Sequence, residues 1–265
     1  MTKVRRVRSV FNCQNWFIMI DYSRMKIIGV NTSTSRGSVA LLEGTDIIDE
    51  ELSEKPESFS RSILGMLDRI LSRNNTTIEE VDGFGVAAGP GSFTGIRIGQ
   101  ATIAGISLST GTPLYGVSTL EAMATAMVRL SAKEDNNEPG RIIPMLDAGR
   151  GNAYYAVFST GDTHTASNKL ERITEDRLAP AEEIAAEQGA ADGLFFGEGA
   201  EKYIDVLKGI GREVGAMGDG SLVSIAVGAA ILGSKAAMEG SKGDIYCLRP
   251  NYIHAGPAAI IQQPN

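Results

Sequence analysis

The run Gly89-Pro90-Gly91-Ser92-Phe93-Thr94-Gly95-Ile96-Arg97-Ile98-Gly99 constrains the fold more than any other segment. It follows a strand pattern at Asp82–Ala88 and opens an apolar helix over about residues 94–110. Phosphate-binding loops occupy that place in α/β proteins. The spacing fits none of the familiar loops. A Walker A loop ends in Gly-Lys-Ser/Thr, whereas Gly95 precedes Ile96. Gly89, Gly91 and Gly95 miss the dinucleotide fingerprint by one residue. Pro90 and Thr94 stand where a nucleophile elbow around Ser92 needs glycines. A tight turn capped by Ser92 or Thr94 is the simpler reading. Against it stands Arg97, a cation in the first helical turn, where the helix dipole disfavours it. That position predicts a carboxylate or phosphate partner.

The surrounding pattern is mixed α/β. Ile27–Val30, Ser38–Leu42 and Asp46–Leu52 read as three short strands joined by hairpin turns at Ser35-Arg36-Gly37 and Glu43-Gly44-Thr45. A helix follows from Pro56 to Arg73, then the strand and helix just described, a strand at Pro113–Val117, and a helix capped by Ser118 or Thr119. The polar stretch Ser131–Gly140 reads as a linker. Strands then resume at Arg141–Asp147 and Ala153–Phe158, around a turn at residues 148–152. The remainder reads as helix 178–187, strand 194–196, helix 199–207, an Ala-rich helix 222–238 and an extended tail, Tyr246–Tyr252. The order of three hairpin strands, helix, strand, helix, strand occurs once clearly and once more weakly. It predicts a two-lobed, actin-like (ASKHA, ribonuclease H-like) α/β fold. Its lobes are 25–130 and 131–265, with the helix 222–238 packing back on the first.

Composition narrows the chemistry. Two cysteines, Cys13 and Cys247, cannot build a disulfide framework, which fits a reducing cytoplasm. His164 and His254 lack metal-site spacing. With 25 Lys and Arg against 32 Asp and Glu, the net charge is −7, so no global basic field draws nucleic acid. Residues 1–24 differ: Lys3, Arg5, Arg6, Arg8 and Arg24 oppose Asp21 alone. Asn12, Gln14 and Asn15 interrupt the apolar residues there, and no small-x-small cleavage site follows. This leader reads as a disordered tail or a start placed too early, with an RNA-contacting arm as the alternative.

Other polar clusters have ordinary readings beside functional ones. Asn31-Thr32-Ser33-Thr34-Ser35 ends the first strand. Actin-like phosphotransferases use an acid there, but Asn31 is a weak magnesium ligand and no general base. Asp147 with Arg150 reads as a local ion pair in a hairpin. Gly197-Glu198-Gly199 resembles the glycine turn that approaches an adenine in this architecture.

Two helices carry excess apolar surface. In the first, Phe59, Ile63, Leu64, Met66, Leu67, Ile70 and Leu71 span about 160°, wider than an ordinary one-sided stripe. In the second, Ile96, Ile98, Ala101, Ile103, Ala104, Ile106 and Leu108 point almost all round, while Gly95 and Gly99 leave a groove for another helix. Burial within the chain is one reading and a protein interface the other. The interface reading places Ile63, Met66 and Ile70 in the open on the free monomer.

The sequence resembles the bacterial TsaB (YeaZ) family on Ile27-Ile28-Gly29-Val30-Asn31-Thr32-Ser33-Thr34, the GPGSFTGIRIG run, Val117–Ala122, Leu146–Arg150 before Tyr154-Tyr155, and Tyr246–Tyr252. The likeness spans roughly residues 25–255. It implies the actin-like fold and a role in making threonylcarbamoyladenosine (t6A) in tRNA. The family member is a non-catalytic relative and required partner of the transferase TsaD, joined through helices. The ATPase TsaE binds the pair. The resemblance thus implies no catalytic residue, no metal and no tightly held cofactor. ATP or ADP is expected only at an interface with partner subunits, with Asn31, Thr32, Ser33, Gly91, Ser92 and Arg97 as the candidate residues. Phe59, Ile63, Met66, Leu67, Ile70, Gly95 and Gly99 are the expected partner face. Contact with tRNA is expected through the complex, self-association when the partner is absent, and no membrane. Three departures stand out: Asn31 where the family usually has Asp, Ser60 or Arg61 where relatives often place a His, and the leader. The competing readings are a small-molecule kinase with Asp147 as its acid and a glycoprotease-type metallopeptidase. The kinase would want an acid at 31, and the peptidase clustered histidines.

Overall fold

The computed structural model describes residues 24–53, 59–131, 140–160, 170–190, 192–215, 224–243 and 248–253. Apart from Arg24, the basic leader lies outside them, as do residues 132–139 of the expected linker. The first sheet is built from β1 (Lys26–Asn31), β2 (Ser38–Glu43), β3 (Asp46–Leu52), β4 (Gly83–Ala87) and β5 (Leu114–Val117). Its order is β3-β2-β1-β4-β5, with the first three strands antiparallel and β1, β4 and β5 parallel. The second sheet repeats that plan. Its strands are β6 (Arg141–Gly149), β7 (Asn152–Tyr155), β8 (Phe158–Ser159), β9 (Glu171–Arg172), β10 (Arg177–Pro180), β11 (Leu194–Phe196) and β12 (Glu213–Val214). The path β10-β7-β6-β11-β12 has the same antiparallel and parallel pairings, with β8 and β9 as a side hairpin on β6. Two copies of one sheet topology make the two-lobed, actin-like α/β fold.

Alternation along the strands decides what covers each face. Ile28 and Val30 of β1, with Phe84 and Val86 of β4, point to one side of the first sheet. There α1 (Phe59–Arg73) and α2 (Phe93–Thr110) supply Ile63, Met66, Leu67, Ile70 and Ile103. Ile27, Ala40 and Leu42 point the other way, onto Ala226, Val227 and Ala230 of α7 (Ile225–Met238). On that face the strands carry Gly29 and Gly85. A Cβ on Gly29 would lie 1.8 Å from the Ala226 carbonyl oxygen, and one on Gly85 would lie 2.0 Å from that of Ala229. The glycines therefore let helix backbone touch sheet backbone. α7 and α3 (Thr119–Ser131) form the layer between the lobes, joining Leu120, Met123 and Ala229 to Ile142, Leu146, Phe158 and Phe196. The outer face of the second sheet is covered by α4 (Ala181–Ala186), α5 (Glu198–Lys202) and α6 (Ile204–Gly209).

Two expected helices differ. Residues 177–180 are a strand paired with β7, and the helix starts only after Pro180. The helix expected over 199–207 breaks at Tyr203 (φ −105°, ψ 24°), whose hydroxyl donates to Asp147 at 2.8 Å with the Asn152 carbonyl 3.3 Å away. Tertiary hydrogen bonding overrides local helix preference at that point.

Candidate functional site

The glycine-rich turn and the end of β1 form one clasp. Ser92 caps α2, its hydroxyl accepting the Gly95 N–H at 3.2 Å, and its own N–H donates to the Ser33 carbonyl at 2.7 Å. A Cβ on Gly91 would fall 2.2 Å from the Ser33 carbonyl oxygen, on Gly95 1.9 Å from that of Thr32, and on Gly99 2.2 Å from Thr32 Oγ1. Gly95 and Gly99 therefore serve close packing on β1, and the groove expected there for a partner helix is filled by Thr32. The Asn31 amide donates to Thr34 Oγ1 (2.9 Å) and the Arg36 carbonyl (3.3 Å), and its oxygen accepts from the Ser33 N–H and hydroxyl. Thr119 donates to Ser33 Oγ at 3.1 Å. Asn31, Thr32 and Ser33 are buried, and only the Thr32 hydroxyl lacks a hydrogen-bond partner. Five of the six candidate nucleotide residues thus come together, but their polar groups mostly satisfy one another.

Arg97, the sixth, lies on the outer side of α2. Its guanidinium stacks 3.8 Å from the centre of the Phe93 ring and donates through Nε to Tyr252 Oη at 2.8 Å. The Phe93 and Tyr252 rings lie 4.9 Å apart. The carboxylate or phosphate partner expected for Arg97 is replaced by aromatic faces, which attract the cation through their quadrupole. Tyr252 belongs to the segment 248–253, which is tied down by Asn251. The Asn251 N–H donates to the Ala88 carbonyl at 2.7 Å, and its amide to Asp176 Oδ2 at 2.8 Å. Asp176 also accepts from Ser118 and Arg172.

The carboxylates of Asp147 and Glu198 are both engaged. Asp147 bonds Lys202 Nζ at 2.6 Å and Tyr203 Oη at 2.8 Å rather than pairing with Arg150. Burial pushes its carboxyl up, but Lys202, Tyr203 and the Gly149 N–H outweigh that and hold it below the ordinary Asp value. A general base works near neutrality, so Asp147 is suited to anchoring rather than proton transfer. Glu198 reaches across to the β1–β2 turn, accepting from the Ser35 N–H at 3.3 Å and from the Ser35 hydroxyl. Among the described residues, no group of three or more His, Cys, Asp or Glu side chains is placed to hold a metal.

The helical face also differs from expectation. Ile63, Met66, Leu67 and Ile70 are all buried against the first sheet within this chain. The predicted exposure of Ile63, Met66 and Ile70 is not found, because the sheet and α2 cover that part of the arc. The side chain of Phe59 lies outside what is described. What remains open is a different set: Leu64 on α1 (49% exposed) and, along α2, Phe93 (52%), Arg97, Ala101, Gly105 and Leu108 (64%). Steps of three or four residues place the α2 set on one outward stripe. Gly105 meets nothing within 4 Å of an added Cβ. The sequence held a signal for this. Gly95, Gly99, Ile103 and Ser107, all buried, recur every four residues and mark the inward stripe, so 93, 97, 101, 105 and 108 must face away.

Residues 53–228 match the family model "TsaD: tRNA N6-adenosine threonylcarbamoyltransferase". The tRNA threonylcarbamoyladenosine biosynthesis protein TsaB of Escherichia coli K12 is 35% identical over 135 residues, covering 51% of this chain and 55% of that protein. The TsaB protein of Haemophilus influenzae is 31% identical over 133 residues, covering 50% and 53%. The chain therefore spans about half the length of the curated relatives it matches. Among solved structures, YeaZ from Pseudomonas aeruginosa superposes with a TM-score of 0.69 at 22% identity, over 86% of this chain and 100% of that one. That likeness concerns the fold.

Proposed function

The chain belongs to the TsaD family and sides with its TsaB (YeaZ) members, and from that membership we propose that it serves t6A synthesis on tRNA as a cytoplasmic, non-catalytic subunit docked on a TsaD-like transferase. The observation that carries this reading is the outward stripe of α2. A glycine in an exposed helix interior costs roughly 0.5–1 kcal/mol relative to alanine. Gly95 and Gly99 repay that cost inside the chain by their contacts with Thr32. Gly105 does not, and it lies between exposed Ala101 and Leu108. A helix from another subunit, approaching closely over Gly105 and covering Leu108 and Leu64, supplies the missing partner. A paired layer of α1 and α2 from two related chains fits this surface, and a second copy occupies it when the transferase is absent. In this reading a TsaE-like ATPase joins the assembly, and tRNA is contacted by the complex as a whole.

The cleft chemistry agrees with a non-catalytic part. Asn31 is locked into its turn, and Asp147 is neutralised by Lys202. The test is reconstitution. Purified chain, a TsaD-like transferase, a TsaE-like ATPase, an activated threonylcarbamoyl donor and unmodified tRNA are combined, and t6A is measured by nucleoside mass spectrometry. Omitting the chain, or supplying it as Leu108→Glu, should reduce product at least tenfold. Equal product without the chain contradicts the reading.

A further inference from the structure

Glu198, from the other lobe, accepts hydrogen bonds from Ser35 in the β1–β2 turn. Its position is forced by its neighbours. Gly197 has φ 99°, a backbone conformation that side chains disfavour, and a Cβ there would lie 2.6 Å from the Met145 carbonyl oxygen. A Cβ on Gly199 would lie 2.9 Å from the Leu146 carbonyl carbon. Glycine on both sides thus lets this segment press onto β6 and carry the carboxylate up to Ser35. The receiving turn is equally fixed, because Asn31, Ser33 and Thr34 hydrogen-bond among themselves and to the Arg36 carbonyl.

A backbone N–H and a hydroxyl converging on one oxygen are an anion-binding arrangement. Here the anion is the protein's own. The nearest cation on the facing helix, Lys202, is committed to Asp147. A nucleoside polyphosphate reaching Ser35 from solvent would have to displace Glu198. We propose that Glu198 is a built-in substitute for a phosphate group, and that its contact with Ser35 holds the interlobe cleft closed to nucleoside polyphosphates. The contact is a latch: whatever parts the lobes frees two hydrogen-bond donors for a phosphate oxygen. This inference stands apart from the reading of α2 as a docking face, since it concerns the contact of Ser35 with Glu198 rather than the outward stripe of α2, and no partner.

The probe is Mg-ATP, with Mg-ADP in parallel, titrated calorimetrically into the full chain. The wild type should show no saturable binding up to millimolar concentration. Glu198→Ala should bind at least tenfold more tightly. Ser35→Ala, which breaks the latch from the first lobe, removes a donor that the ligand also needs and should gain less than Glu198→Ala. Glu201→Ala, an exposed acid on the same helix, should leave binding at the wild-type level. Hydrogen exchange should quicken at residues 33–37 in Glu198→Ala, which reports the opened latch even if that variant is less stable. Micromolar Mg-ATP binding by the wild type overturns the proposal. So does an unchanged exchange rate and affinity in Glu198→Ala, or an equal gain in Glu201→Ala.

Discussion

α2 and α7 read alike in the sequence and do opposite things in the fold. Both are apolar nearly all round, and both carry glycines inside the helix. α7 spends all of its glycines within the chain. A Cβ on Gly228 would lie 1.9 Å from the Ala122 carbonyl oxygen, and one on Gly233 would lie 3.0 Å from the Gly85 Cα. Residues 224–230 are buried without interruption, as suits a helix between two sheets. α2 spends Gly95 and Gly99 on Thr32 and leaves Gly105 unmet beside Leu108. On the proposed reading, an apolar helix is a core helix or a docking helix according to whether every close-approach position finds its neighbour inside the chain. The apolar count does not distinguish them.

The sharpest way to break the comparison is to add one methyl group to each helix. Gly228→Ala drives a Cβ into backbone that cannot yield, and overpacking of that kind costs about 3 kcal/mol. Urea unfolding should show that loss, or the variant should fail to fold. A midpoint unchanged from wild type would mean that α7 is not clamped as described. Gly105→Ala meets open space, so the isolated chain should gain about 0.5–1 kcal/mol from helix propensity. The same methyl group should weaken association with a TsaD-like partner by tenfold or more. A gain in both stability and binding would show that no backbone approaches over Gly105. The smallest effect is expected at Thr32, whose hydroxyl is buried against Gly99 without a partner. Thr32→Val keeps the shape and removes that group, so thermal unfolding should show a change between zero and a gain of about 1 kcal/mol. A loss of more than 1 kcal/mol would mean that the hydroxyl is bonded after all.

Much of this was legible in the residues. The hairpin strands, the buried β4 and the Ser92 cap were readable because period-two patterns, turn residues and N-cap chemistry are local. The close approach of α7 to the first sheet depends on Gly29 and Gly85, which lie about 140 to 200 residues before it in the chain and were not singled out by any local pattern. The arc of α1 misled, because Ile63, Met66 and Ile70 are covered jointly by strands far away in sequence. Glu198 was hidden for a similar reason: nothing local to Gly197-Glu198-Gly199 announces a partner 163 residues away. Arg97 was flagged correctly as needing a partner, but the partners are the rings of Phe93 and Tyr252, and Tyr252 is far along the chain.

The outward stripe of α2 as a docking surface is most directly tested by the affinity of the labelled chain for a TsaD-like transferase, measured by fluorescence anisotropy for the wild type and Leu108→Glu. Leu108 is mostly exposed, so the substitution should leave the melting temperature within a degree or two. Burying the new charge unpaired at an interface is costly, and affinity should fall by at least tenfold. A well-folded Leu108→Glu chain that binds the transferase as tightly as wild type would contradict the assignment of α2.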